Sequence, residues 1–100
     1  MSDRIYAQDE IFAAVRLLLE KYHAENAILF GSYARQEADA ASDIDLIVIG
    51  GNKFDPTDVF CIAEELHRTL GKAVDVYELR ELNAGSVFYN TVMAEGVQIA

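Results

Sequence analysis

Three aspartates and a Gly-Ser turn are the residues of this sequence whose types and spacing could do chemistry. Gly31-Ser32-Tyr33-Ala34-Arg35 is followed, after a gap of ten residues beyond Ser32, by Asp43-Ile44-Asp45-Leu46. A glycine lets the backbone approach a ligand closely. A helix starting at Ser32 leaves unpaired N–H groups and a partial positive charge that suit a phosphate. Ser32 adds a hydroxyl donor, and Arg35, one turn on, is placed to reach a phosphate oxygen. The same residues also fit an ordinary helix N-cap that binds nothing. Asp43 and Asp45 stand two apart on an apolar strand, so their carboxylates share one face. Such a pair is costly to hold together unless a cation neutralises it, and two carboxylates with phosphate oxygens are ligands that Mg²⁺ takes. A solvent-facing strand start is the alternative for the pair taken alone. Asp75 is a third acidic residue, flanked on both sides by strand valines, Val74 and Val76. If its strand lies beside that of Asp43 and Asp45, three carboxylates converge. Three could hold two metals ~4 Å apart, as in-line phosphoryl transfer uses, with Asp75 a ligand or the acceptor of the nucleophile's proton.

The elements that must position these residues can be read from periodicity. Residues 9–23 predict a helix, with Ile11, Phe12, Val15, Leu18, Leu19 and Tyr22 as its apolar stripe and Asp9 and Glu10 in its first turn. Asn26 to Phe30 predicts a buried strand running into Gly31, and residues 32–38 a short helix. Asp43 to Ile49 predicts the aspartate strand, ended by a turn at Gly50-Gly51-Asn52-Lys53. Asp55 as N-cap and Pro56 at the first helical position predict a helix, with Gly71 as its stop. Residues 73–79 predict the Asp75 strand. A last helix opens at Asn83 or Ser86 and runs to about Glu95, and Val97 to Ile99 follows as a small edge strand. The order α-β-α-β-α-β-α, with long connections between strands, predicts an α/β (α+β) fold with one small mixed sheet carrying helices. Cys61 reads as a packed small hydrophobe and His23 and His67 as surface or capping residues. The last helix, with Phe88, Tyr89 and Met93, reads as core, with partner surface as its alternative.

Composition sets the class. One hundred residues, 52% of them hydrophobic, predict a single folded domain spanning 1–100. Eight Lys and Arg against seventeen Asp and Glu leave a net charge of −9, which argues against direct nucleic-acid or anionic-membrane binding. It favours a basic protein partner or metal-bridged nucleotide binding. The apolar runs fall short of a membrane span, the first six residues lack a signal peptide's pattern, and a single cysteine gives no disulfide framework. These features point to the cytoplasm.

Gly31-Ser32, the ten-residue gap, Asp43-x-Asp45 and the lone strand Asp75 together resemble the nucleotidyltransferase fold of the DNA polymerase β superfamily. The resemblance is closest to the minimal nucleotidyltransferases of prokaryotes and covers nearly the whole chain. It implies that Gly31 and Ser32 contact the triphosphate of ATP, that Asp43 and Asp45 bind Mg²⁺, and that Asp75 completes the catalytic triad. Arg35 matches the basic residue frequent after Gly-Ser-x-Ala. Gln36 departs from the pattern, which often has glycine there. Minimal nucleotidyltransferases of this size are similar to antitoxins paired with HEPN-domain ribonuclease toxins. That similarity implies transfer of AMP to a tyrosine of the toxin, in a hetero-oligomer with it. Two other functions stay open: an antitoxin that masks its toxin by stoichiometric binding, and a nucleotidyltransferase acting on a small molecule.

Overall fold

The computed structural model of the protein describes residues 4–100; the first three positions of the N-terminal stretch read above lie outside them. The described chain runs α1 (Gln8–Lys21), β1 (Asn26–Phe30), β2 (Ile44–Ile49), α2 (Asp58–Leu70), β3 (Val74–Glu78), a 3-10 turn at Leu79–Glu81, α3 (Val87–Glu95) and β4 (Val97–Gln98). The strands form one mixed sheet in the order β3-β2-β1-β4. β1 lies antiparallel to β2 and β4, and β2 lies parallel to β3. The α/β class and the small mixed sheet are those expected from the sequence.

Alternation along the strands divides the apolar residues between two faces. Ala27, Leu29, Ile44, Leu46 and Val48 meet α1 through Ile11, Val15 and Leu19, and α2 through Val59, Ile62, Leu66 and Leu70. Each of the valine, leucine and isoleucine side chains contributes on the order of 1.5–3 kcal/mol when fully buried. Ile28 and Ile47 point the other way, toward Val92 of α3, with Phe30, Ile49, Leu79 and Leu82 partly covered around them. Asp45 therefore sits on the thinly covered face, one residue out of phase with the main core.

The helix ends follow from local chemistry. The Glu10 carboxylate accepts from the Ala7 N–H at 3.0 Å, closing the first turn of α1. α1 ends where His23 takes a left-handed φ of 60°, and its ring is exposed. Asp55 accepts from both the N–H and the hydroxyl of Thr57, at 3.0 and 2.8 Å. It caps a lead-in turn, so regular α2 begins two residues later than an Asp55 N-cap implies, with Thr57 as the N-cap. Gly71, at φ 68°, stops α2 and donates to the His67 carbonyl at 2.8 Å. Ser86 caps α3 by accepting from the Tyr89 N–H at 3.1 Å.

Four expectations are corrected. Residues 32–36 form a turn and not a regular helix, because Gln36 leaves helical geometry at φ 59°. The aspartate strand begins at Ile44, leaving Asp43 just outside it. Cys61 is exposed: the stripe of α2 is Val59, Ile62, Leu66 and Leu70, and position 61 falls off it. α3 is not core, since it buries only Val92 and leaves Val87, Phe88 and Met93 exposed. That helix is apolar around most of its circumference, so period alone marks no unique inward face.

Candidate active site

β1, an interior strand, delivers the chain to Gly31 at its C-terminal end, and the antiparallel register sets Phe30 opposite Asp45. Gly31 has φ +74°, a left-handed conformation that only glycine adopts without steric cost. A Cβ there would lie 2.5 Å from Oδ2 of Asp45, so the turn runs directly over that carboxylate. The Ala34 and Arg35 N–H groups both donate to the Gly31 carbonyl at 3.1 Å, and Glu37 donates to that of Ser32 at 2.9 Å. No regular helix follows Ser32, which removes both the ordinary N-cap explanation of Gly-Ser and the helix N-terminus as its phosphate-binding feature, leaving the turn backbone and the Ser32 hydroxyl. The turn is held from behind by α1: the Gln8 side-chain amide donates to the carbonyls of Tyr33 and Ala34 at 3.0 and 3.3 Å.

The third aspartate enters through the sheet. β2 and β3 pair in parallel with Asp45 directly opposite Asp75. Cross-strand partners have Cβ atoms roughly 5 Å apart, so the two carboxylates stand side by side on one face. Asp43, two residues before Asp45, is exposed at the strand's mouth. Burial, then the Asp75 and Asp43 charges, raise the Asp45 pKa to about 6, with Arg35 opposing. A half-buried carboxylate so destabilised as an anion is one that a cation would relieve. Among the described residues no three ligating side chains are already closed around one ion position. The donor set nevertheless fits a hard cation such as Mg²⁺, which is held by one or two carboxylates together with waters and substrate phosphates.

Arg35 is exposed and tethered. Its Nε lies 3.1 Å from Glu37, and its Nη1 lies 3.6 Å from Glu95 on α3. The structure thus brings together Gly31, Asp45 and Asp75, sets Asp43 at the rim, and gives Arg35 a place within the field of Asp45. Two residues were missed by sequence reasoning. Lys72 is buried at 2% exposure and donates to the Ala40 carbonyl at 2.8 Å, fixing the loop that leads into Asp43. That loop is further tightened by Asp39, whose N–H donates to the Ser42 hydroxyl at 2.9 Å. Glu78 is equally buried and accepts from the backbone and side chain of Arg80, which turns the chain out of β3. Strand alternation gives a signal for Glu78, which falls on the face of Val74 and Val76; nothing periodic marks Lys72.

A concavity of about 430 Å³ lies behind the turn, lined by Tyr6, Gln8, Asp9, Tyr33, Gln36 and Ala38. It contains none of the three aspartates, which stand on an open face.

Comparisons with known proteins agree with this geometry. The family model described as polymerase beta, nucleotidyltransferase, matches residues 14–100. A Methanocaldococcus jannaschii protein named as a candidate protein adenylyltransferase is 40% identical over 68 residues, which span 68% of this chain and 73% of that protein. A toxin-antitoxin crystal structure with AMP-PNP is similar at a TM-score of 0.76 and 26% identity, covering 89% of this chain and 72% of the other. A structure of the tri-AMPylated Shewanella oneidensis HEPN toxin in complex with MNT antitoxin is similar at a TM-score of 0.70 and 25% identity, covering 93% and 71%.

Proposed function

The chain belongs to the polymerase β nucleotidyltransferase family and is a nucleotidyltransferase, and from that premise we propose that it moves AMP from ATP to a hydroxyl of a partner protein. The acceptor is a tyrosine of a HEPN-domain toxin, and the chain is that toxin's antitoxin. The observation that carries this reading is the in-register pairing of Asp45 with Asp75 beneath the Gly31 turn. The names of the similar proteins support the choice of nucleotide, of a protein as acceptor and of a HEPN toxin as that protein; the tyrosine rests on the family resemblance.

Each residue has a role. The backbone of the Gly31-Ser32 turn and the Ser32 hydroxyl grip the triphosphate, and Arg35 adds positive charge at its rim. Mg²⁺ held by Asp43, Asp45 and Asp75 would supply the charge that neutralises the phosphates and the developing anion. Asp75, exposed at the sheet edge, faces the acceptor and takes the proton of its hydroxyl. The acceptor oxygen bonds to the α-phosphorus, the bond to the bridging oxygen breaks, and pyrophosphate leaves. The net charge of −9 suits a basic, RNA-cleaving partner.

A second reading is a stoichiometric antitoxin, favoured by the exposed apolar residues Val87, Phe88 and Met93 on α3. A small-molecule acceptor is less favoured, because the concavity of about 430 Å³ behind the turn lies away from the aspartates. Neutralisation of a HEPN toxin by wild type and by Asp43→Asn plus Asp45→Asn, with the toxin's mass measured after incubation with Mg²⁺ and ATP, separates the two. Catalysis predicts AMP adducts and neutralisation with wild type only. Full neutralisation by the double variant without adducts selects the stoichiometric reading.

A further inference from the structure

Beside the carboxylates, on the same face of the sheet, lies an aromatic cluster that the nucleotidyl-transfer roles above leave unused. Phe30, Tyr77 and Phe88 come from β1, β3 and α3. Their ring centroids are 6.4 Å (Phe30–Tyr77), 5.6 Å (Phe30–Phe88) and 6.2 Å (Tyr77–Phe88) apart, at interplanar angles of 43°, 80° and 73°. Phe30 is the cross-strand partner of Asp45. Tyr77 follows Asp75 by two residues on one strand face, a distance of roughly 7 Å. Ile47, opposite Tyr77 in the sheet, is fully buried beneath. The cluster is therefore a packed platform on the sheet, yet Tyr77 is 38% and Phe88 44% exposed. Leaving two aromatic rings in water forfeits burial that a deeper seat for α3 would recover, so the exposure calls for an occupant.

We propose that Phe88 and Tyr77, backed by Phe30, form the base subsite of the nucleotide, with a purine ring lying against them while its phosphates occupy the Gly31 turn. This rests on the nucleotidyltransfer site assigned above and adds to it the part of the nucleotide that the carboxylates and the turn do not contact. Three features favour a base over a protein side chain. The platform continues directly from the carboxylates, within a nucleoside's length of them. Its rings stand at steep angles, so a flat π-system meets both a ring face and a ring edge. The ring faces carry no hydrogen-bonding groups, as in sites that hold bases by stacking and so tolerate different bases. Purines, having the larger stacking surface, are preferred over pyrimidines, and ATP and GTP bind within a few-fold of each other.

The test titrates Mg-ATP and Mg-tripolyphosphate separately into wild type, Phe88→Ala, Tyr77→Ala and Tyr77→Phe. Both substituted rings are partly exposed, and circular dichroism checks that each variant folds. The platform predicts Mg-ATP binding about tenfold or more weaker in the two alanine variants, the scale of one base–aromatic stack. It also predicts unchanged tripolyphosphate binding in those variants and wild-type behaviour for Tyr77→Phe. Equal loss of both ligands, or no loss of ATP affinity, overturns the platform. Unchanged ATP affinity with weakened capture of a HEPN partner reassigns the rings to protein docking and likewise overturns it. A wild-type chain that binds neither ligand overturns the phosphate site along with the platform, whereas one that binds both with equal affinity overturns the platform alone.

Discussion

Replacing Asp45 by asparagine should make the protein more stable while removing its activity. The carboxyl's pKa is raised from 3.8 to about 6, first by burial and then by the charges of Asp75 and Asp43. A group whose folded pKa lies above its unfolded one binds protons more tightly when folded. Its contribution is therefore most favourable below pH ~4, is lost as pH rises through about 6, and is fully lost above that. About two units of pKa at ~1.4 kcal/mol each sets a ceiling near 3 kcal/mol for the cost at neutral pH. Asp45 is only half-buried, and solvent screening reduces this to about 1–2 kcal/mol. An asparagine side chain carries no charge and avoids that cost. For a domain of this size, Asp45→Asn should melt about 5–10 °C higher than wild type at pH 7.5 without divalent ions. The difference should shrink toward zero at pH 4. Added Mg²⁺ with ATP should stabilise wild type and leave the variant unmoved. Thermal melts monitored by circular dichroism at the two pH values read all of this. A variant that melts at or below wild type at pH 7.5, or that keeps the same advantage at pH 4, refutes the claim that Asp45 is held against its electrostatic preference.

Three further outcomes follow from the same geometry. Gly31→Ala places a Cβ 2.5 Å from Asp45 Oδ2 at φ +74°; it should cost about 1–2 kcal/mol in denaturant titration and displace Asp45, with transfer activity falling at least tenfold. Gln36→Gly relieves the left-handed φ of 59°; after the added chain entropy of glycine it should still gain about 0.5–1 kcal/mol, and a loss of stability would show that the Gln36 side chain outweighs its backbone strain. Mg-dependent nucleotide binding should weaken as pH falls through about 6, because Asp45 must be ionised to hold a cation; flat affinity between pH 5 and pH 7 would remove Asp45 from the metal site.

The parts of this site legible in the sequence are those that local patterns report. Asn26 to Phe30 reads as a strand from its apolar run alone, and the strand of Asp45 reads from alternation, with Asp43 just ahead of it. That Asp75 faces Asp45 depends on β2 and β3 being neighbours in register, which no local pattern carries; it follows only once all three aspartates are considered together. The predicted helix at 32–38 fails because Gln36 adopts a conformation that its residue type disfavours, which intrinsic preference cannot anticipate. The same position is where the family pattern often has glycine, so the departure at Gln36 marks a true backbone demand. α3 is misplaced by the sequence for a different reason. Its residues are apolar enough for a core, but it rests on the sheet mainly through Val92, and the rings it leaves exposed sit beside the acidic cluster.

The most direct measurement compares transfer from ATP labelled at the α-phosphorus with transfer from ATP labelled at the γ-phosphorus, using a HEPN toxin as acceptor. Label from the α position should appear on the toxin in the presence of Mg²⁺, label from the γ position should not, and Asp43→Asn plus Asp45→Asn should abolish the signal. Transfer of γ-label, or α-label transfer that survives loss of both aspartates, would contradict nucleotidyl transfer at this site.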